Sequence, residues 1–182
     1  MEPWIPAFTG MTKRTHAANT TTTTSTMSAN ILSLYEKFAR YPAGRWLFGR
    51  AVCFKAPYFA TISPRFESLQ RGRCVASIRH RRGVSNHLGT VHAIALCNLA
   101  ELSAGVMTDA SLPASMRWIP KGMTVEYLKK AVGTQRATAT PDIEIVAADT
   151  GYDLPVTVQV QDEAGDTVFR ARIAMWVSPR KS

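Results

Sequence analysis

Glu101 is the only charged residue in an otherwise mostly apolar run, residues 91–107, whose other polar members are His92, Asn98 and Ser103. Burying an ionised carboxylate without partners is strongly unfavourable. Such a residue therefore either meets donors from a loop backbone, as a structural group, or has a chemical task. The tasks open to it are drawing a proton from water or attacking a carbonyl carbon directly. Fifteen residues upstream lies Asn86, in the run Asn86-His87-Leu88-Gly89-Thr90-Val91-His92. Gly89 permits a tight turn and Thr90 can cap the helix that follows. The first N–H groups of that helix then face whatever occupies the turn, an arrangement suited to polarising a carbonyl or holding an oxyanion. Asn86 adds an amide at the same place. His92 reads as a packing group at the helix start, and His80 as a hydrogen-bonded core residue of a strand.

Other chemistries lack their residues. Cys53, Cys74 and Cys97 stand more than twenty residues apart, giving neither a zinc pattern nor a disulfide framework, and reading as reduced thiols of a cytoplasmic protein. There is no phosphate-binding glycine loop, no dinucleotide fingerprint and no Gly-x-Ser-x-Gly elbow. The expected chemistry uses no metal and no redox cofactor.

These residues need elements to position them. Residues 91–107 predict a long helix with apolar residues on every side. One sheet covers one face only, so the spacing predicts a second copy of the chain against the other: a homodimer, with a tetramer also open. Strand alternation predicts β-structure in 58–69 (interrupted by Pro64), 74–81, 123–127, 136–140 and 156–161. Asp162-Glu163-Ala164-Gly165-Asp166 is a turn into a last strand from Phe169 to Val177, a hairpin signal. One long helix and five or six strands make an α+β domain.

Upstream, residues 1–27 read as a disordered Thr-rich tail with a plausible alternative start at Met27; a transit peptide is the less favoured reading. Residues 28–56 read as a helical segment, capped at Ser28 and broken at Pro42 and Gly44, and residues 57–182 as the main domain. Removing residues 1–26 takes away two bases and one acid and leaves +8 of the formal +9, so the charge belongs to the folded part. It suits a polyanionic partner, but no nucleic-acid recognition motif accompanies it, and nucleic acid is disfavoured. Basic and aromatic residues alternate from Arg45 to Lys55. A packed helix with solvated charge is preferred there over a membrane anchor formed by residues 28–55.

The run from Asn86 to His92, with an acid fifteen residues after the Asn, resembles the signature of hotdog-fold acyl-CoA thioesterases of the phenylacetate-pathway (PaaI-like) type. The stretch Gly122-Met123-Thr124-Val125-Glu126-Tyr127-Leu128-Lys129-Lys130-Ala131-Val132-Gly133 is similar to the strand after the helix in that superfamily. The likeness spans roughly residues 57–180 and is closest to an uncharacterised domain-of-unknown-function branch. It implies a curved antiparallel sheet wrapped around one long central helix, here with an N-terminal helical extension, and active sites at the interface of a dimer. It implies hydrolysis of an acyl-CoA thioester, with coenzyme A entering as part of the substrate. Glu101 would be the base or nucleophile and Asn86 would orient the thioester or water. Gly89, His92 and Ala93 would form the oxyanion and thioester-binding turn. Arg79, Arg81, Arg82, Lys129 and Lys130 are candidates for the coenzyme A phosphates. Where the family has His-Gly-Gly, this chain has His92-Ala93-Ile94, which narrows the approach to that turn. The departure motivates a non-catalytic acyl-CoA- or lipid-binding protein as the alternative. The His87–Glu101 spacing motivates a second one, a 3-hydroxyacyl dehydratase.

Overall fold

A computed structural model of the chain describes residues 31–180. The tail assigned to 1–27 and the cap at Ser28 lie outside the described residues. Two helices come first, α1 (Ile31–Ala39) and α2 (Gly44–Lys55), followed by a 3-10 turn, Pro57–Ile62. Strands β1 (Arg65–Gln70) and β2 (Arg73–Ile78) precede the long helix α3 (Ala93–Ser111). The chain closes with β3 (Met116–Tyr127), β4 (Gln135–Pro141), β5 (Tyr152–Gln161) and β6 (Thr167–Pro179). All six strands join one antiparallel sheet in the order β1-β2-β4-β5-β6-β3, so β1 and β3 are its two edges.

Strand periodicity explains the core. Leu154, Val156, Val158 and Val160 on β5 and Phe169, Ala171, Ile173, Met175 and Val177 on β6 are buried, while all their alternates except Val168 are half-covered or exposed. Ala137 and Ala139 on β4 continue the layer and leave room for α3, whose Leu96, Leu99, Leu102 and Met107 fill it. The N-terminal helices are tied on by an aromatic ladder. The Tyr35 and Phe48 rings meet edge to face at 5.1 Å, Phe48 and Phe66 at 4.9 Å, and the Tyr35 hydroxyl donates to the Glu67 carbonyl.

Several boundaries differ from the sequence reading. Residues 58–62 are a 3-10 turn rather than strand, because Pro57 fixes its start and Ser63, at φ 48°, reverses the chain before β1. Strand β3 begins at Met116, well before residue 123, and runs through Pro120. Proline is tolerated there because β3 is an edge strand with a bulge between Pro120 and Gly122. The cap of α3 is His92 rather than Thr90: its Nδ1 accepts the Ile94 N–H at 3.1 Å. Finally, α1 and the 3-10 turn also pack on α3 and cover part of the side that the sheet leaves free.

Candidate functional site

The turn before α3 is built by one side chain. Asn86 Oδ1 accepts the N–H groups of Leu88 (3.0 Å) and Thr90 (3.1 Å), and Asn86 Nδ2 donates to Thr90 Oγ1 at 2.8 Å. Gly89 sits at φ +72°, the left-handed backbone that the turn requires and that glycine adopts without strain. The Asn86 amide is thus committed to the shape of the turn and, within the chain, serves as a positioning group. His87 and Leu88 project outward, both exposed.

The donors at the helix start divide cleanly. The His92 N–H is spent on the Val84 carbonyl at 2.8 Å, the Gly89 N–H on Asn86 O, and the Ile94 N–H on the His92 ring. Of the Gly89, His92 and Ala93 N–H groups expected at the oxyanion turn, only that of Ala93 is left without an acceptor among the described residues. His92 instead holds the cap, and Ile94 stands exposed next to the open donor.

Glu101, expected to be buried, is exposed in the single chain and forms no ion pair among the described residues. The reason lies in the placement of the helix. Ile94, Cys97 and Glu101 fall on one stripe of α3, the stripe left between the sheet and the N-terminal cover. Strand β3 borders it. The Cys97 thiol and Tyr127 hydroxyl lie 3.3 Å apart, a contact that, together with burial, pushes the tyrosine up to about 12. Further along, the Trp118 indole lies against Gly105 and its N–H donates to Asp109 at 2.6 Å. Neither contact was singled out from sequence. The signal available was the four-residue spacing of Cys97 and Glu101, which puts both on one helix face.

Glu101 is eight residues beyond Ala93, which at helical rise is roughly 12 Å along the axis. Within one chain, the acid and the open N–H are therefore too far apart to act on one small group together.

The five cations assigned to phosphate do not share a setting. Arg79 lines a groove with Arg45, Arg65 and Trp46, and the other four do not line it. Arg81 is held by the Thr61 carbonyl (2.8 Å) and Ser63 Oγ (3.1 Å). Lys129 is paired with Asp166, while Arg82 and Lys130 are exposed. His80 is half-buried and accepts the Gly133 N–H at 3.3 Å. The three cysteines are free, and the described residues hold no cluster of ligating side chains that would suit a metal.

A family model called DUF4442, a domain of unknown function, matches residues 44–177. The chain belongs to this family. It is 45% identical to a genomics target, APC5556, with TM-score 0.70 over 82% of this chain and 99% of that one. A Pseudomonas aeruginosa protein of unknown function, described as a probable thioesterase, is 23% identical with TM-score 0.62, covering 70% and 91% of the two chains. A thioesterase from Haemophilus influenzae is 14% identical with TM-score 0.58, covering 67% and 82%. No curated protein matches the chain. The architecture of the DUF4442 domain is the hotdog fold. Its matched span takes in α2 as well as the sheet and α3, so the second N-terminal helix is part of the family's domain.

Proposed function

We propose that the protein hydrolyses an acyl-CoA thioester to free acid and coenzyme A, at a site assembled between two copies of the chain. The observation that carries this reading is the open stripe of α3: it holds Glu101 and lies beside an edge strand, β3, with one long side unpaired. A twelve-residue strand edge bearing Ile119, Met123 and Tyr127 as exposed apolar groups is a template for pairing with its like. A two-fold partner docked along β3 would cover the stripe and bring its own helix start toward Glu101. The roughly 12 Å gap within one chain favours that arrangement over a site formed in cis.

In this site Glu101 takes a proton from water, and the oxygen attacks the thioester carbonyl carbon. The Ala93 N–H from the partner copy faces the oxyanion as it forms. The C–S bond then breaks, and the thiolate of coenzyme A leaves with the proton. The thioesterases among the structural relatives support the reaction class, and the free thiols fit a cytoplasmic protein. Arg82 and Lys130, exposed and without ion pairs, are the candidates left for the coenzyme A phosphates.

Thiol release from short, long and aromatic acyl-CoAs tests the reading. Wild type is expected to be active on at least one, and Glu101→Ala to lose about a hundredfold or more, the scale of a general base. Equal rates in the two proteins would remove Glu101 from the chemistry. The exposed Ile94 beside the donor favours a second reading, an acyl-CoA-binding protein without turnover. In that case neither protein releases thiol, yet acyl-CoA raises the melting temperature of both.

A further inference from the structure

Helix α2 is apolar on two sides. Phe48 and Cys53 are buried against the domain, as the packing of a surface helix requires. The outward side would then be expected to be polar. Instead Trp46, Arg50 and Phe54 follow one another at intervals of four, with Leu47 seven residues before Phe54, so that all four share one outward face. Phe54 is 91% exposed and Trp46 55%. Tyr41 and Tyr58, at 71% and 67%, flank the helix at its two ends. Single exposed apolar residues are ordinary, but an aligned row with aromatic flanks is not.

The charge around this row has one sign. Residues 31–63 carry Lys37, Arg40, Arg45, Arg50 and Lys55 against a single acid, Glu36. Arg45, Arg50 and Lys55 form no ion pair among the described residues. A groove of about 580 Å³ adjoins the row, lined by Arg45, Trp46, Arg65 and Arg79. The arginine side chains there outnumber the one acid in the groove, Glu67, which is already held by Arg136 at 2.6 Å. Helix α2 packs on β1, the sheet edge opposite β3, so pairing along β3 leaves this face uncovered.

We propose that the outward face of α2, with the arginine groove beside it, docks the protein on an anionic lipid bilayer. Trp46, Leu47 and Phe54 enter the boundary between headgroups and acyl chains while Arg45, Arg50, Arg65 and Arg79 meet lipid phosphates. Among the described residues no helix is long and apolar enough to cross a membrane, so α2 lies in the surface plane. The proposal is independent of thioester hydrolysis, and its test reads binding alone.

The full chain is sedimented with vesicles of phosphatidylcholine and with equimolar phosphatidylcholine and phosphatidylglycerol. The expected result is binding to the anionic vesicles only, released by high salt. Arg50→Glu should weaken it about fivefold or more, since each basic group near an anionic surface contributes on that scale. Trp46→Ser with Phe54→Ser, both on exposed positions, should abolish it while leaving the melting curve unchanged. Absence of wild-type binding, or equal binding to neutral vesicles, overturns the proposal. So does unchanged binding in the double variant, which would assign the attraction to charge elsewhere in the chain. A fall in particle mass of that variant in light scattering, with no vesicle binding by wild type, would reassign the face to contact between copies.

Discussion

At the scale of single residues, the proposed site rests on one free backbone donor. Ala93 is the first residue of α3, and His92 before it has φ −63° and ψ 138°, a conformation that proline's neighbour favours. Ala93→Pro therefore deletes the N–H without breaking the helix, because proline is well accepted at this first position. Thiol release is expected to fall about a hundredfold, as when an oxyanion donor is lost, while urea unfolding changes little. Asn86→Ala should act differently. It removes three hydrogen bonds from the turn and is expected to cost about 1–2 kcal/mol in urea melts, with Asn86→Asp recovering part of that by keeping the acceptor oxygen. The tight turn at Asn86 and Gly89 could be read from residue type and spacing alone, whereas the exposure of Glu101 could not. What could not be read was which donors remain free: the His92 N–H is consumed by Val84, a residue eight positions back that only the folded turn brings near.

At the scale of elements, α1 and α2 join through a contact that leaves no room. A Cβ on Gly44 would lie 1.6 Å from the Phe38 carbonyl oxygen, so Gly44→Ala must push the helices apart. Overpacking of this kind costs about 1–3 kcal/mol, measurable as a lower melting temperature. The sheet has its own tie, Glu67 on β1 to Arg136 on β4, reaching across Ser77. Burial alone would raise the Glu67 carboxyl, but the Arg136 and Ser77 hydrogen bonds outweigh it and hold the group below the usual glutamate range. The stabilisation is thus complete above the unfolded value of about 4.3 and is lost as pH falls through the lower folded value. With both groups partly exposed, it amounts to at most about 1 kcal/mol. The melting-temperature gap between wild type and Glu67→Gln should be widest near neutrality and close in acid. Periodicity made the helix and the β5–β6 hairpin legible. It missed the first half of β3, because Pro120 and Gly122 break a strand pattern everywhere except at an edge, and edges are a property of the assembled sheet.

At the scale of the whole molecule, the exposure of Glu101 and the open side of β3 belong together. From sequence, a helix apolar all round predicts a second copy against its free face. In the fold, α1 and the 3-10 turn cover part of that second face, and the proposed partner would meet a narrower stripe and a strand edge. Light scattering should give about twice the 20.0 kDa chain mass, and Ile119→Asp with Met123→Asp should return it to the monomer and reduce thiol release in step.

The central claim, a site shared between copies, is tested most directly by a mixed dimer. Chains carrying Glu101→Gln and chains carrying Ala93→Pro, each with a different affinity tag, are co-expressed and the heterodimer is purified through both tags. One of its two sites then keeps an intact Glu101 from one copy and an intact Ala93 N–H from the other. The predicted result is two inactive parents and a heterodimer with about half the wild-type rate of thiol release. A heterodimer as inactive as its parents would contradict the account.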